Sequence, residues 1–185
     1  LIVGHATTGT LDAAIKNTAV GIDAMDAITS GDHNTCVGYS AGTALTTGGA
    51  NVLVGRKAGF TGTTGLDSSI AIGLNTLYNS NTTSNVAIGR DTLYYTTGGY
   101  NTAVGKGAGY GAVGAAAYNS FLGKDAGAAI SSGSYNIAIG YDGGDNITTG
   151  SGNIIIGTAD AGSATGDHQL KIAGYNGSST VTWID

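Results

Sequence analysis

The sequence has no proline and no glutamate, and only 10% of its 185 residues are charged, against a usual proportion of about 25%. All 12 acidic residues are Asp, and 34 residues are Gly. Glu favours helices whereas Gly and Asp disfavour them, so this composition argues against helical structure. Because 41% of the residues are hydrophobic, the many glycines do not indicate disorder either. The composition favours an ordered β structure that tolerates glycine.

Other absences limit the functions that this chain can have. The net charge is −5 and no basic run is present, so a nucleic-acid partner, which requires clustered Lys and Arg, is not expected. Cys36 is the only cysteine, which excludes an internal disulfide and a Cys-based metal cluster. No apolar run is long enough for a membrane-spanning helix. The chain begins Leu1-Ile2-Val3-Gly4 without Met, and we expect it to be a segment of a longer protein.

A repeat of the form Asn-x-x-(Val/Ile/Leu)-Gly runs through the whole chain at a nearly constant spacing. Its glycines are Gly4, Gly21, Gly38, Gly55, Gly73, Gly89, Gly105, Gly123, Gly140 and Gly157, and an eleventh copy ends in Ala173. Short β-branched runs bounded by glycine at constant period are typical of a solenoid. The sequence therefore predicts an all-β, parallel β-solenoid of about 17 residues per coil and about 11 coils over residues 1–174. Residues 175–185 are predicted to form a terminal strand that leads out of the solenoid.

The first position of the repeat carries an amide side chain in most copies. The residues are Asn17, Asn34, Asn51, Asn85, Asn101, Asn119, Asn136 and Asn153, with Ser69 and Gln169 in the remaining copies. Identical amides stacked one above another form hydrogen-bond ladders. We therefore predict that these asparagines form a structural ladder along the rod.

Both faces of the predicted strand are apolar, which predicts self-association. The residues one and three before glycine share a face, and the residue two before glycine points the other way. That residue is Ala19, Cys36, Leu53, Ala71, Ala87, Ala103, Phe121, Ala138 and Ile155 in successive copies. One face fills the chain's own narrow core, and the other needs a cover that further copies of the chain could supply. We assign the column from Ala19 to Ile155 to the subunit interface; the alternative is a wider coil that buries both faces internally.

Few side chains in the sequence suggest a catalytic or metal-binding site. His5, His33 and His168 fit no zinc-ligand spacing and are interpreted as solvated or turn residues. Cys36 falls in an alanine column and is interpreted as a packed thiol. Asp142-Gly143-Gly144-Asp145 lacks the calcium-binding nonapeptide and is interpreted as a solvated turn. We therefore predict no catalytic residue, no metal site and no cofactor. The alternative left open is an ion bound on the axis of an oligomer.

Three tyrosines form a further column. Tyr100, Tyr118 and Tyr135 precede the Asn of three consecutive copies, so stacking should align their rings. The favoured interpretation is a stabilising aromatic ladder. The alternative is a stripe that contacts a sugar or another surface.

The copies Asn101-Thr102-Ala103-Val104-Gly105-Lys106-Gly107-Ala108-Gly109 and Asn136-Ile137-Ala138-Ile139-Gly140 resemble repeats of tailed-phage tail fibres. They are also similar to the head repeats of trimeric autotransporter adhesins. The resemblance covers essentially the whole chain and implies a left-handed β-roll and a homotrimeric fibre. Adhesin heads usually have a shorter repeat, so the longer period of this chain and its Thr-Thr-Gly inserts are closer to the phage fibres.

The resemblance implies the shaft of a phage tail fibre on a virion, which presents a receptor-binding tip. The alternative is a bacterial cell-surface adhesin that binds host matrix or glycans through the solenoid surface. A third reading, a polysaccharide-degrading tailspike, is disfavoured because no long insertion with an acidic cluster interrupts the repeat. We therefore expect a non-enzymatic protein whose partners are copies of itself and a host-surface glycan or protein.

Overall fold

The computed structural model describes residues 2–3, 14–62, 64–175 and 179–184. In these residues the regular structure consists of short β-strands, without helix. The strands are β1 (Ile2–Val3), β2 (Thr18–Val20), β3 (Thr35–Val37), β4 (Val52–Val54), β5 (Ile70–Ile72), β6 (Val86–Ile88), β7 (Thr102–Val104), β8 (Ser120–Leu122), β9 (Ile137–Ile139), β10 (Ile154–Gly157), β11 (Leu170–Tyr175) and β12 (Thr180–Ile184).

All of these strands belong to one sheet, in which each strand pairs with the next along the chain. The pairs from β1 to β11 are parallel and align equivalent repeat positions, as in Ala19 with Cys36. Between β2 and β11 the chain makes about 9 turns of roughly 17 residues. The predicted parallel β-solenoid and its period are thus confirmed. The expected turn between Gly4 and Gly21 falls mostly on residues outside the described ranges.

The last strand departs from the expectation of a strand that leads out of the solenoid. β12 is antiparallel to β11, with Tyr175 opposite Thr180 and Ile172 opposite Ile184. It therefore takes the place in the sheet that the strand of another coil would occupy. An antiparallel strand at this edge ends the parallel stack.

Glycine at the end of each repeat is required by the backbone and by the next coil. From Gly21 to Gly140 these glycines have φ between +130° and +138°, a region in which other residues are strained. A Cβ on Gly38 would also lie 2.6 Å from the carbonyl oxygen of Gly55 in the following coil. The repeated glycine therefore permits both the corner after each strand and the close stacking of the coils.

The column predicted to lie at the subunit interface instead forms the core of the chain. Ala19, Cys36 and Leu53 are 0% exposed in the single chain. The same is true of Ala71, Ala87, Ala103, Ala138 and Ile155, while Phe121 is 2% exposed. A side chain without exposure in the single chain cannot contact another copy, so this assignment was wrong. The reason is the alternation of side chains along a strand. Each residue of this column lies two positions after a member of the inward asparagine column, and alternate strand residues point to the same side.

Side-chain sizes within the core compensate for one another. Where the inward strand residue is large, as at Leu53 and Phe121, Gly59 and Gly127 stand six residues later. Where it is alanine, as at Ala71 or Ala87, a leucine can stand six residues later, as Leu77 and Leu93 do, and both leucines are fully buried. A Cβ on Gly109 would lie 2.8 Å from Cδ2 of Phe121, so the ring also fills space above the preceding coil. Constant packing density is thus kept by different residues in different coils.

The predicted asparagine ladder is present. The side-chain amide of Asn119 donates to the side-chain oxygen of Asn101 at 3.1 Å and to the carbonyl of Gly133 at 3.0 Å. The backbone N–H of Asn136 donates to the side-chain oxygen of Asn119 at 2.8 Å. Equivalent bonds join the other coils, and the amides from Asn34 to Asn153 are buried. Each Asn therefore ties the two sides of its coil together and holds the next coil in register.

Asn119→Ala should destabilise the fold by roughly 2–4 kcal/mol, because it leaves the buried Gly133 carbonyl and Asn136 N–H without partners. Asn119→Ser is the matched control, since Ser69 occupies this column naturally and its hydroxyl accepts from the N–H of Asn85 at 3.2 Å. The serine variant should lose about half as much stability. Chemical denaturation compares the two variants, and equal stability of the alanine variant and the parent chain would contradict this role of the ladder.

Candidate interaction surfaces

The outward face of the sheet is mostly apolar from β2 to β11 and is not covered by other described residues. It consists of the first and third residues of each strand from β2 to β11. Among these, Val20, Ile72, Ile88, Leu122 and Leu170 are 37–52% exposed. The other members are valine, isoleucine, threonine and serine, and none is charged. We call this surface the outer sheet face.

The extent of the outer sheet face makes it a candidate interaction site. Ten stacked strands at about 4.8 Å give a length of roughly 43 Å, and three strand residues give a width of about 10 Å. The resulting area is on the order of 400 Å², which is the size of the largest apolar patch on a typical soluble monomer, and such patches are often functional. Near the small side chain of Ser120, a shallow recess is lined by Val104, Phe121, Leu122 and Ile139. The face therefore offers both a flat stripe and a local depression.

The tyrosine column predicted from the sequence is present. The rings of Tyr100 and Tyr118, and those of Tyr118 and Tyr135, stack with centroids 5.0 Å apart and planes 3° apart. The three side chains are 54%, 48% and 63% exposed. Each residue has φ near +60°, a conformation that costs a non-glycine residue about 1–2 kcal/mol. The stack is thus a regular aromatic stripe at one border of the outer sheet face.

A second aromatic column was missed in the sequence. Phe60, Tyr78, Tyr94 and Tyr110 stack on successive coils with centroids 4.7–5.4 Å apart. The amino group of Lys57 lies 4.8 Å from the centre of the Phe60 ring at one end of this column. All four aromatic residues follow the glycine of their repeat by five positions, and that shared offset is the signal that could have identified them.

The histidines, the cysteine and the aspartates considered as catalytic or metal-binding residues do not lie together in one site. His33 and His168 are exposed and lie at opposite ends of the described rod, whereas His5 lies outside the described residues. Cys36 is 0% exposed, and burial raises the pKa of its thiol to about 12, so it is a packed thiol. No group of three metal-ligating side chains occurs in the described ranges. Asp142 and Asp145 lie in one turn, as expected.

The pKa of the Asp145 carboxyl group in this turn is raised. Burial, a hydrogen bond with Asp160 and the negative charges of Asp160, Asp142 and Asp125 raise its pKa to about 6. A polar cleft close by is lined by Asp142, Thr158, Asp160, Lys171 and Thr182. The uptake of a proton by Asp145 relieves repulsion among carboxylates near the C-terminal end of the rod.

The contribution of Asp145 to the free energy of unfolding should therefore become more favourable as the pH is lowered from 7 to 4. The native Asp145 pKa lies above its unfolded value of 3.8, so in this pH range the native state binds more protons than the unfolded state. Asp145→Asn should raise the melting temperature at pH 7 and flatten the slope between pH 4 and 7. Asp23→Asn, in the first described coil, is the control for the loss of one negative charge. An Asp145→Asn variant whose slope equals that of the parent chain would contradict this assignment.

No family model matches the chain, and no curated protein or solved structure is significantly similar to it. The described residues contain no helix that is long and apolar enough to cross a membrane.

Proposed function

We propose that this chain is a shaft segment of a host-attachment fibre of the phage tail-fibre type, carried on a virion and assembled as a parallel homotrimer. The observation that carries this proposal is the uncovered outer sheet face, which runs along a rod of coils held in register by buried ladders. A shaft needs length, stiffness and a lateral surface for its own copies. The resemblance of the repeats to phage fibres supplies the number of subunits and the role in attachment.

In this proposal the outer sheet face, and not the column from Ala19 to Ile155, lies between the copies. Flat faces on three chains can close around a common axis, so that each chain covers the valine and isoleucine side chains of its neighbours. Burial of apolar surface stabilises such an assembly by roughly 25 cal/mol per Å². The solenoid is thin, so burial between subunits adds substantially to a small core.

The proposed role is non-enzymatic. The repeat positions are occupied by residues with evident structural tasks: asparagines in the ladder, glycines at the corners and apolar side chains in the core. The coils follow one another at a nearly constant spacing, without a long insertion that could build a separate site.

A bacterial surface adhesin that binds host matrix or glycans through its flank is the second candidate. The observation that favours it is the exposed tyrosine column, because aromatic side chains are common in recognition surfaces. Both ring faces of Tyr118, and one face each of Tyr100 and Tyr135, are covered by a neighbouring ring, however, which reduces the aromatic surface that a ligand can reach. The stack therefore supports the shaft better than it supports the adhesin.

Ile88→Lys should convert the assembly into single folded chains. Ile88 is 37% exposed and lies between Ile72 and Val104 in the outer sheet face, so a trimer would bury three unpaired lysines near its axis. Ala129→Lys adds the same charge at an exposed site away from the sheet and should leave the trimer intact. Sedimentation at micromolar concentration distinguishes these results, with circular dichroism to verify the fold. A trimer that persists in Ile88→Lys would place the subunit contact elsewhere.

A further inference from the structure

The two borders of the outer sheet face carry different chemistry on the same coils. Tyr100 and Tyr118 immediately precede the Asn that opens the β7 and β8 coils, and we call this side the tyrosine border. Lys106 and Lys124 follow the glycine that closes the same strands, and we call this side the basic border. The four side chains are exposed, and the amino group of Lys124 forms an ion pair with Asp125 at 2.6 Å. Arg90 extends the basic border by one coil, and Tyr135 extends the tyrosine border by one coil.

Other coils show the same relation between the two borders. On the β9 coil, Tyr135 stands on one border and Tyr141 on the other. On the β3 coil the tyrosine lies on the opposite side: His33 stands on the tyrosine border and Tyr39 on the basic border. Each coil that presents a tyrosine on one border thus presents a cationic or aromatic side chain at the same height on the other.

The chain already uses cation–aromatic contacts within itself. The amino group of Lys124 lies 4.5 Å from the centre of the Tyr141 ring, one coil above it, and Lys57 lies over Phe60. Such contacts contribute about 0.5–1 kcal/mol each at exposed sites. Gly152 shows that glycine can occupy the tyrosine position in another coil. Tyr100, Tyr118 and Tyr135 therefore occupy strained backbone positions at which the backbone conformation does not require tyrosine.

The area of the outer sheet face also calls for contacts at its borders. A stable interface buries about 800 Å² on each partner, whereas this face offers on the order of 400 Å². When flat faces close around an axis, each meets its neighbour border to border. In a three-fold arrangement the contact is between unlike surfaces, so the tyrosine border of one copy meets the basic border of the next.

We propose that the tyrosine border of each copy packs against the basic border of a neighbouring parallel copy, coil against equivalent coil. Tyr118 of one copy then contacts Lys124 of the next, and Tyr100 contacts Lys106 of the next. The occupant of this surface is a second copy of the same chain. The inference rests on the proposed self-association and adds the direction, the register and the pairing of the borders.

Paired cysteines test this arrangement. Tyr118→Cys combined with Lys124→Cys should give disulfide-linked dimers and trimers in most of the protein after mild oxidation, on non-reducing gels. The two positions of one chain flank a whole strand and are separated by roughly 16–20 Å, whereas a disulfide requires Cα atoms within about 7 Å. A link must therefore join two copies. Cys36 is buried, with its pKa raised to about 12, and stays out of the exchange.

Two controls fix the pairing and the register. Tyr118→Cys alone should not cross-link, because in a three-fold assembly the tyrosine borders do not meet each other. Tyr118→Cys with Arg56→Cys uses the same two borders on the β8 and β4 coils, about 19 Å apart along the rod, and should not cross-link either. Tyr100→Cys with Lys106→Cys repeats the test one coil away and should behave as the first pair does.

Sedimentation of the unmodified chain separates failure of this inference from failure of the self-association. An oligomer in which neither matched pair cross-links would overturn the border pairing and leave the fibre proposal standing. Cross-linking by Tyr118→Cys alone would indicate a two-fold contact, and cross-linking with Arg56→Cys would indicate a shifted register; either contradicts the inference. A folded single chain would overturn both proposals.

Discussion

Deletion of residues 89–104 should give a folded rod that is shorter by one coil, whereas deletion of residues 89–96 should abolish the fold. The longer deletion joins Ile88 to Gly105 and removes one whole period, so the side chain of Asn85 can bond to Asn119 as it now bonds to Asn101. The shorter deletion shifts every later coil by half a turn. Strands would then stack on turns, and the ladders and the core columns would be lost.

Circular dichroism, thermal melting and electron microscopy measure this difference. The whole-coil deletion should keep the β signal and shorten the fibre by about 4.8 Å. The half-coil deletion should give unfolded or aggregated protein. A folded half-coil deletion would contradict the one-period stacking of the solenoid.

The same pair of variants separates the two candidate functions. A shaft that is one coil shorter still carries its tip, so a phage with the whole-coil deletion should keep its ability to attach to the host. The deleted segment contains Tyr100, which belongs to the tyrosine column. A correctly folded deletion that abolishes attachment would therefore favour an adhesive flank.

Phe121→Ala should lower the free energy of unfolding by about 3–5 kcal/mol. Phe121 is the largest fully buried side chain among the described residues, and its ring fills the space left by Gly109 and Gly127. These glycines provide no side chain that could close the cavity after truncation. Denaturation in urea measures the loss, and a loss below about 1 kcal/mol would contradict the proposed packing.

The size compensation between coils predicts a specific rescue of this variant. Phe121→Ala combined with Gly127→Leu reproduces the combination of Ala87 and Leu93 in another coil. Leu93 tolerates φ of +48° there, so leucine should be accepted at residue 127, where φ is +60°. The double variant should recover at least half of the lost stability. Gly127→Leu alone should be strongly destabilised, because a Cβ at that position collides with the Phe121 ring.

The period, the strands and the asparagine ladder could be predicted because each coil has the same local requirements for backbone conformation and packing. The glycine of the following coil places its carbonyl oxygen close to Gly38, and the same holds for Gly55 and Gly73, so the glycine column is visible in the sequence. The direction of the core column was also encoded, since Ala103 lies two residues after a buried Asn101 and shares its side of the strand. The column was wrongly assigned to the subunit interface because its direction was not compared with that of the asparagine ladder.

Other features depend on distances that the repeat does not encode. The proximity of Asp145 and Asp160 arises where residues 158–168 depart from the repeat, so no column placed them together. The aromatic column from Phe60 to Tyr110 follows unequal spacings along the chain, which hide it unless each residue is counted from its own glycine. The reversal of β12 follows a stretch in which the repeat is lost, so no repeat column indicates the direction of this strand.

Sedimentation equilibrium of the unmodified chain at micromolar concentration tests the central claim most directly. The outer sheet face should be buried between copies, so the mass in solution should be that of three chains. It should stay constant on dilution through the low micromolar range. A folded, monodisperse particle with the 18.1 kDa mass of one chain would show that the outer sheet face needs no second copy, and would contradict the proposed fibre.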